Sequence, residues 1–338
     1  MIKESIATLV EGKSLTFEQA SGAMEEIMGG EATPAQIGGF LSALRAKGEN
    51  ADEIAGLAAV MREKATPVKI PGAAIDIVGT GGDGSGSFNI STAASFVVAG
   101  TGLKVAKHGN RAASSQCGAA DILEALGIKI SLNPESVAEC VAKAGIGFMF
   151  AQVYHPAMKY AAPVRKELGI RTVFNILGPL TNPAKAQFML LGVANEELGQ
   201  KIANVLQLLG VKHALVVHGR DGFDEISLSD NSLVWEVTPE KVSAPYEISP
   251  ENFGLNKASK SDVRGGTPAE NATALRDIFN GARGPLRDAV VINAAAALIA
   301  AEVTKDFNKA AQLAAASIDS GKARGTLEKL VELSQNLE

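Results

Sequence analysis

Asp76-Ile-Val-Gly-Thr-Gly-Gly-Asp-Gly-Ser-Gly-Ser-Phe-Asn-Ile-Ser-Thr92 carries five glycines between Gly79 and Gly86, directly after the β-rich run Ile75, Ile77 and Val78. Glycine lets a chain turn sharply and lets peptide N–H groups approach a ligand closely. A strand that ends in such a loop and then opens a helix makes an anion site, because the helix N-terminus offers unpaired N–H groups. Asn89, Ser91 and Thr92 fall at that helix start, where they can cap it or donate to phosphate oxygens. The run is not a Walker loop, since no Gly-Lys-Ser/Thr follows. Gly79, Gly81 and Gly84 do satisfy GxGxxG, but Lys104–Lys107 stands where a dinucleotide fold wants its ribose-binding acid.

Around this run the texture alternates. Short β-rich runs recur at Lys104–Lys107, Ile128–Leu132, Phe148–Ala151, Phe188–Val193 and Ala214–His218, with helical patterns between most of them. Asn133-Pro134 starts one such helix and Gly145 can close it. Alternation of this kind predicts an α/β fold with a mainly parallel central sheet and flanking helices. Residues 221–246 lack a helical period and can add antiparallel strands. The first 65 residues read as helices only, with Ile37, Phe40, Leu41 and Leu44 on one stripe and Ile54, Leu57, Ala58 and Met61 on another. Thr16 and Thr33 are candidate N-caps, each with glutamine three residues on. The last 70 residues return to helix, and Ala289–Ala301 suits a buried one. The expected organisation is a small helical domain, 1–68, and a larger α/β domain, 72–338.

A second candidate phosphate loop is Lys107-His-Gly-Asn-Arg-Ala-Ala-Ser-Ser115, on the same carboxyl edge of the sheet, where open α/β folds bind ligands. Two loops side by side suit a ligand with two well-separated phosphoryl groups. His108 alone fits a structural role as readily as a catalytic one, and His213 and His218, flanking an apolar run, read as structural. Asp224 and Glu225 sit together in a glycine-flanked loop after a strand. Such a pair is most often solvated surface. Beside a diphosphate, however, two hard carboxylates are what Mg²⁺ needs.

With 338 residues, 46% apolar and 20% charged, the chain can build a sizeable core without disulfides. A net charge of −5 argues against a nucleic-acid binder. Cys117 and Cys140 form no metal-binding pattern and read as free thiols in a reducing compartment. The N-terminus carries acids and no long apolar run, and no stretch is long enough to span a bilayer. The expectation is a cytoplasmic protein without nucleic-acid or membrane partners.

The three stretches together resemble the anthranilate phosphoribosyltransferase family. Gln152-Val-Tyr-His-Pro-Ala-Met-Lys-Tyr-Ala-Ala-Pro-Val-Arg165 and Arg171-Thr-Val-Phe-Asn-Ile-Leu-Gly-Pro-Leu-Thr-Asn-Pro183 are similar to the segments that line that family's acceptor pocket. The resemblance runs the length of the chain. It implies transfer of the 5-phosphoribosyl group from phosphoribosyl diphosphate to the amine of anthranilate, in tryptophan biosynthesis. It also implies a homodimer through the helical domain, a contribution to that domain from about 165–185, and one or two Mg²⁺ per monomer.

Residue by residue, it places Gly79, Thr80, Gly82, Asp83, Ser87, Asn89, Ile90, Ser91, Thr92 and Lys107, His108, Gly109, Asn110, Arg111, Ala112, Ala113, Ser114 and Ser115 around phosphoribosyl diphosphate. Gly79, Asn110 and Arg165 would touch anthranilate, with His155 and Pro179 nearby, and Ser91, Asp224 and Glu225 would hold the metal. No side-chain acid or base is implied as catalyst. One departure is Ala119, where many relatives carry a serine able to touch the diphosphate.

Three rivals remain at this level. A pyrimidine nucleoside phosphorylase should carry Lys-His-Ser, whereas His108 here is followed by Gly109-Asn110-Arg111. A paralogue with another acceptor should lose the Asn110 and Arg165 pattern. A sugar-phosphate sensor would bind without turnover.

Overall fold

A computed structural model describes residues 1–112 and 115–338. Four helices come first: α1 (Ile2–Val10), α2 (Phe17–Gly29), α3 (Pro34–Lys47) and α4 (Ala51–Lys64). Thr16, Thr33 and Asn50 accept from the N–H three residues on, and Gln19, Gln36 and Glu53 reach back to each cap, so all three starts are reciprocal capping boxes.

The alternating part follows as β1 (Ile75–Gly79), α5 (Ile90–Gly100), β2 (Val105–Gly109), α6 (Ala119–Ala125), α7 (Pro134–Ala144) and β3 (Ile146–Phe150). Short helices α8 (Ala151–Tyr154), α9 (Met158–Leu168) and α10 (Phe174–Leu177) come next. The chain returns to the sheet with β4 (Phe188–Gly192), α11 (Glu196–Leu208), β5 (His213–Gly219), β6 (Ser232–Val237) and β7 (Tyr246–Ile248). It ends with α12 (Pro268–Phe279), α13 (Pro285–Ala300), α14 (Phe307–Asp319) and α15 (Lys322–Asn336).

The sheet runs β3-β2-β1-β4-β5-β6-β7. β1 to β5 pair in parallel, and β6 and β7 add antiparallel edges. The chain therefore winds from β1 to β3 in one direction and from β4 onward in the other. Between β1 and β4 lies the switch point at which open α/β sheets bind ligands.

Burial alternates along the strands. Leu190, Leu215, Val217 and Val234 join one core with α5 and α12–α15. Met189, Leu191, Ala214, Val216 and Trp235 join the other, with α1–α4, α11 and residues Ala161 to Leu180 of the inserted helices. Both faces of the sheet are covered, which is why its central strands read as continuous apolar runs.

One expected strand is absent. Ile128–Leu132 forms no ladder, although Ile128, Ile130 and Leu132 are buried in alternation. Its backbone bonds go to the C-terminus instead: Lys129 N–H donates to Ser334 Oγ at 3.1 Å and Asn133 N–H to Glu338 O at 3.1 Å. The alternation records burial against α15 and its tail rather than a place in the sheet.

Candidate active site

The glycine loop leaves β1 at the switch point. Gly79 is in register with Gly192 at the end of β4, and Thr80 N–H donates to Gly192 O at 2.9 Å. After β5 the chain folds back over these two glycines. A Cβ on Gly192 would lie 1.6 Å from the carbonyl oxygen of Asp224, and one on Gly79 would lie 2.3 Å from Asp224 Oδ2. Only side-chain-free positions let the acidic loop rest on the sheet edge. Asn293 on α13 holds that loop from behind, donating to Ile226 O at 3.0 Å and accepting from Ile226 N–H at 2.9 Å. The 263–265 segment tethers the glycine loop's far end through Phe88 N–H to Val263 O and Gly265 N–H to Gly86 O, each 2.9 Å.

The acids converge here. Asp224 Oδ2 accepts from Gly81 N–H at 2.6 Å, and Glu225 Oε1 accepts from Ser91 N–H at 3.2 Å, at the start of α5, where a carboxylate is favoured by the helix dipole. Asp83 Oδ1 accepts from Ser85 N–H at 3.2 Å, while its Oδ2 is buried without a partner among the described residues. Burial, then the nearby Asp83 carboxylate, lifts Asp224 to about 7. Burial, then Asp224, holds Glu225 well above the usual carboxylate range. Lys107 is close enough to act on Glu225. It is buried, its ammonium donates to Ile77 O at 2.6 Å, and it serves Asp76 as well as Glu225.

Three acids face one shared lysine and, at the rim, the exposed Arg171 on Gly82; the site is short of positive charge, and the orphaned carboxylate oxygen of Asp83 points to the same deficit. Mg²⁺ fits this donor set, which is all hard oxygen once Ser91 is included. Among the described residues no ready-made cluster of three His, Cys, Asp or Glu could hold a metal. The protein's ligands would thus leave positions open for oxygens of a substrate.

The acidity of Asp224 gives a pH prediction. Between 3.8, its ordinary value, and about 7, the folded chain holds a proton here that the unfolded chain lacks. The stability from this group is full below about pH 4 and is lost as pH rises through about 7. Metal-free protein should melt progressively lower between about pH 5 and pH 8, with a shallower slope in Asp224→Asn. Because metal and proton compete for the carboxylate, Mg²⁺ affinity should rise by about tenfold from pH 6 to 7. Scanning fluorimetry and calorimetric titration across pH check both. A slope unchanged in Asp224→Asn contradicts the assignment.

The second loop is placed beside the first, but its cations are committed. Lys107 points inward, and Arg111 bonds Asp121 at 3.0 Å and pairs with Glu124, its guanidinium 5.5 Å from the Phe150 ring centroid. Ala112 N–H also donates to Asp121, at 2.9 Å. Among the described residues both of its cations have partners, although Arg111 stays exposed, as does its neutral neighbour Asn110. Asn89 is turned from its capping role: it donates to Cys117 O at 3.1 Å and accepts from Asn271 at 2.9 Å. Ser87 bridges to Arg264, Ser115 Oγ lies 3.5 Å from Cys117 O, and Ile90 and Thr92 are buried. Ala113 and Ser114 lie outside the described residues. Ala119 opens α6, with its Cβ facing Gly109.

His108 and His155 meet in the interior, Nε2 to Nε2 at 3.2 Å, and His108 Nδ1 faces Gly178 O at 3.2 Å. Burial depresses both, His108 to about 3 and His155 to about 4, so the pair is neutral at physiological pH. It ties the start of the second loop to the Gly178–Pro179 turn, in which Pro179 is buried. His213 bonds Ala300 O and Glu236, and His218 bonds Val193 O, both away from this pair.

Arg165, on α9, is half-buried, and its guanidinium lies 5.0 Å from the Phe174 ring centroid. It makes no hydrogen bond or ion pair among the described residues, and desolvation lowers its pKa. A partly dried, unpaired guanidinium is a receptor for a carboxylate.

Four residues absent from the sequence-based set also build the site. Gly192 admits the acidic loop, Asn293 holds it, and Arg171 donates to Gly82 O at 3.5 Å. Asn182 donates to Asp76 Oδ2 at 2.7 Å and Ala106 O at 2.8 Å, joining β1 to β2 below the loops. Asn182 and Arg171 stood within a segment read as acceptor wall. Gly192 and Asn293 carry no signal before the strands are paired.

Comparison with known proteins extends over the whole chain. Residues 71–324 match a family model described as "Glycosyl transferase family, a/b domain", and residues 3–65 match its "helical bundle domain". An anthranilate phosphoribosyltransferase of Dehalococcoides mccartyi (strain ATCC BAA-2266 / KCTC 15142 / 195) is 57% identical over 338 residues, covering 100% of this chain and 99% of the relative. The crystal structure of an anthranilate phosphoribosyltransferase from Thermus thermophilus superposes with a TM-score of 0.93 at 44% identity, covering 98% of this chain and 99% of the other. That of the Saccharomyces cerevisiae enzyme in complex with PRPP and Mg gives 0.92 at 29% identity, with 99% and 98% covered.

Proposed function

The chain belongs to the anthranilate phosphoribosyltransferase family, and from that premise we propose how its own residues divide the work. The reaction is transfer of the 5-phosphoribosyl group from phosphoribosyl diphosphate to the amine of anthranilate, releasing pyrophosphate, in tryptophan biosynthesis. The observation that carries the assignment of roles is the cluster of Asp83, Asp224 and Glu225 against an open glycine loop at the switch point.

The glycine loop, with the N–H groups at the start of α5, receives the diphosphate. Its dipoles are fixed by the tethers at Gly192, Val263 and Gly86, so they need little rearrangement as charge develops on the leaving group. Ser91, Asp224 and Glu225 would hold Mg²⁺, one or two ions per monomer, and the metal would neutralise charge on the departing pyrophosphate. Asn110 and the neutral histidine pair line the space between donor and acceptor. Arg165 binds the anthranilate carboxylate.

An aromatic amine is unprotonated at neutral pH and needs no strong base. His108 and His155, held neutral by burial, are suited to shape the pocket rather than to shuttle charge. Bond breaking at C1 leaves positive character on the ribose, as in glycoside chemistry. Catalysis is then chiefly alignment of two substrates and stabilisation of the leaving group.

Arg165→Ala tests the acceptor half. The lost charge-assisted contact should raise KM for anthranilate by about 10- to 100-fold and leave KM for phosphoribosyl diphosphate nearly unchanged. Steady-state kinetics, following the loss of anthranilate fluorescence with each substrate varied in turn, read this directly. Equal losses for both substrates would remove Arg165 from the acceptor site.

The working unit is taken to be a cytoplasmic homodimer joined through the helical domain. Both cysteines are free and buried, which suits a reducing compartment. The exposed large apolar side chains include Met1 and Val10, at the two ends of α1, and Val153, Tyr160 and Ile170 in the 153–170 stretch, whose helix α9 packs on α2 and α3. Sedimentation equilibrium measures the state, and a monomer at micromolar concentration overturns it.

A further inference from the structure

Arg171 lies in the connection between α9 and α10, yet it reaches across to the glycine loop. Its Nη1 is 3.5 Å from Gly82 O, and the guanidinium occupies the place of the missing side chain, 1.8 Å from where a Cβ of Gly82 would sit. Gly82 has a φ of +76°, which turns its peptide toward this cation. Arg171 is exposed and has no acidic partner among the described residues. Among the described residues, other contacts on the glycine loop come from Gly192 at the end of β4, from Asp224 and Glu225 in the loop after β5, from the 263–265 segment, and from Cys117 and Asn271. Among the described residues, Arg171 gives the glycine loop beyond β1 its hydrogen bond to the acceptor segment, whose further residues include Asn182 bonded to Asp76 on β1, the buried Phe174 under Arg165 and the Gly178–Pro179 turn against His108.

We propose that Arg171 is a positioning residue that couples the two substrate sites: its guanidinium engages the pyrophosphate group of the donor over Gly82 and so draws the acceptor segment into its binding arrangement. The inference rests on the function proposed above. Its physical content is a guanidinium without a counter-charge, next to a loop built for phosphate, on a segment that carries the other pocket. A fork of N–H donors whose contact here is a carbonyl at 3.5 Å makes a stronger bond to a phosphoryl oxygen. The segment then gains a contact that exists only with donor bound, which is what coupling between two sites requires.

Two titrations test this. In the wild type, Mg²⁺ and inorganic pyrophosphate should tighten the binding of anthranilate by about 5- to 50-fold, as is typical of coupled sites. Arg171→Ala should weaken pyrophosphate binding by about tenfold or more and abolish the tightening, while anthranilate alone binds as it does to the wild type. Arg171→Lys should restore charge and part of the coupling, and Arg171→Gln should restore neither. The side chain is exposed, so the melting temperature should not move. A purely structural brace would instead lower it and weaken both ligands equally, which overturns the proposal.

Coupling retained in Arg171→Ala overturns it as well, and leaves the family reaction standing if turnover of anthranilate persists. No turnover of anthranilate by the wild type defeats the functional reading and this inference together.

Discussion

The double variant Asp224→Asn/Glu225→Gln is expected to lose turnover by on the order of 10³-fold at saturating Mg²⁺, and still to melt higher than the wild type in metal-free buffer at pH 8. The two effects share one cause. Both carboxyls are held above their ordinary range because burial disfavours their charge and because Asp83, Asp224 and Glu225 face each other with one shared lysine. Without metal the cluster is a stored repulsion. Amides keep the acceptor oxygens for Gly81 N–H and Ser91 N–H and remove the charge. Stability should therefore rise by about 2 °C or more, while the cation that would neutralise a leaving pyrophosphate loses its seat. Calorimetry without metal, beside kinetics with it, checks the pair. Retained activity would remove these residues from the site, and a lower melting point would mean that they brace the loop rather than strain it.

This opposition explains what could be read before the fold was known. Asp224 and Glu225 drew notice as neighbours, but adjacent acids are common on surfaces, and only the fold shows Asp224 buried against Gly79 and Gly192. The glycine loop was legible because its demand is local: a strand, a turn needing positive φ, and a helix start all lie within seventeen consecutive residues. The capped helices were legible for the same reason. Lys107 and Arg111 were legible as cations but not in their commitments, since Ile77, Asp121 and Glu124 claim them through folds of the chain that no short window displays.

Ile128–Leu132 misled because alternating burial is what a strand also shows, and its real partner lies some two hundred positions away. Arg171 gives no local signal of a role, since its contact with Gly82 depends on how the α9–α10 connection packs over the loop. Gly192 is the sharpest case. A lone glycine at a strand end has no meaning until β4 is paired with β1 and the chain from β5 is laid over both.

That dependence makes Gly192→Ala the most severe single methyl that the site can receive. The added carbon would start 1.6 Å from the Asp224 carbonyl oxygen, an atom of the backbone that no rotamer change can move aside. The acidic loop must lift, and Asn293 resists from the other side through its two bonds to Ile226. A displacement of about 1 Å in a group that positions a reacting centre can cost on the order of 10²-fold in rate. We expect kcat/KM to fall by at least that much, the Mg²⁺ dependence to shift to higher concentration, and stability to drop by about 1–3 kcal/mol through overpacking.

Gly210→Ala supplies the contrast. Gly210 has a φ of +71° and no atom within 4 Å of a new Cβ, and it follows α11 away from the loops. It should lose about 1 kcal/mol through backbone strain while keeping full activity. Denaturant melts paired with initial rates compare the two. If both variants lose stability alike and both keep their rates, then the contact between Gly192 and Asp224 does not set the position of the acids.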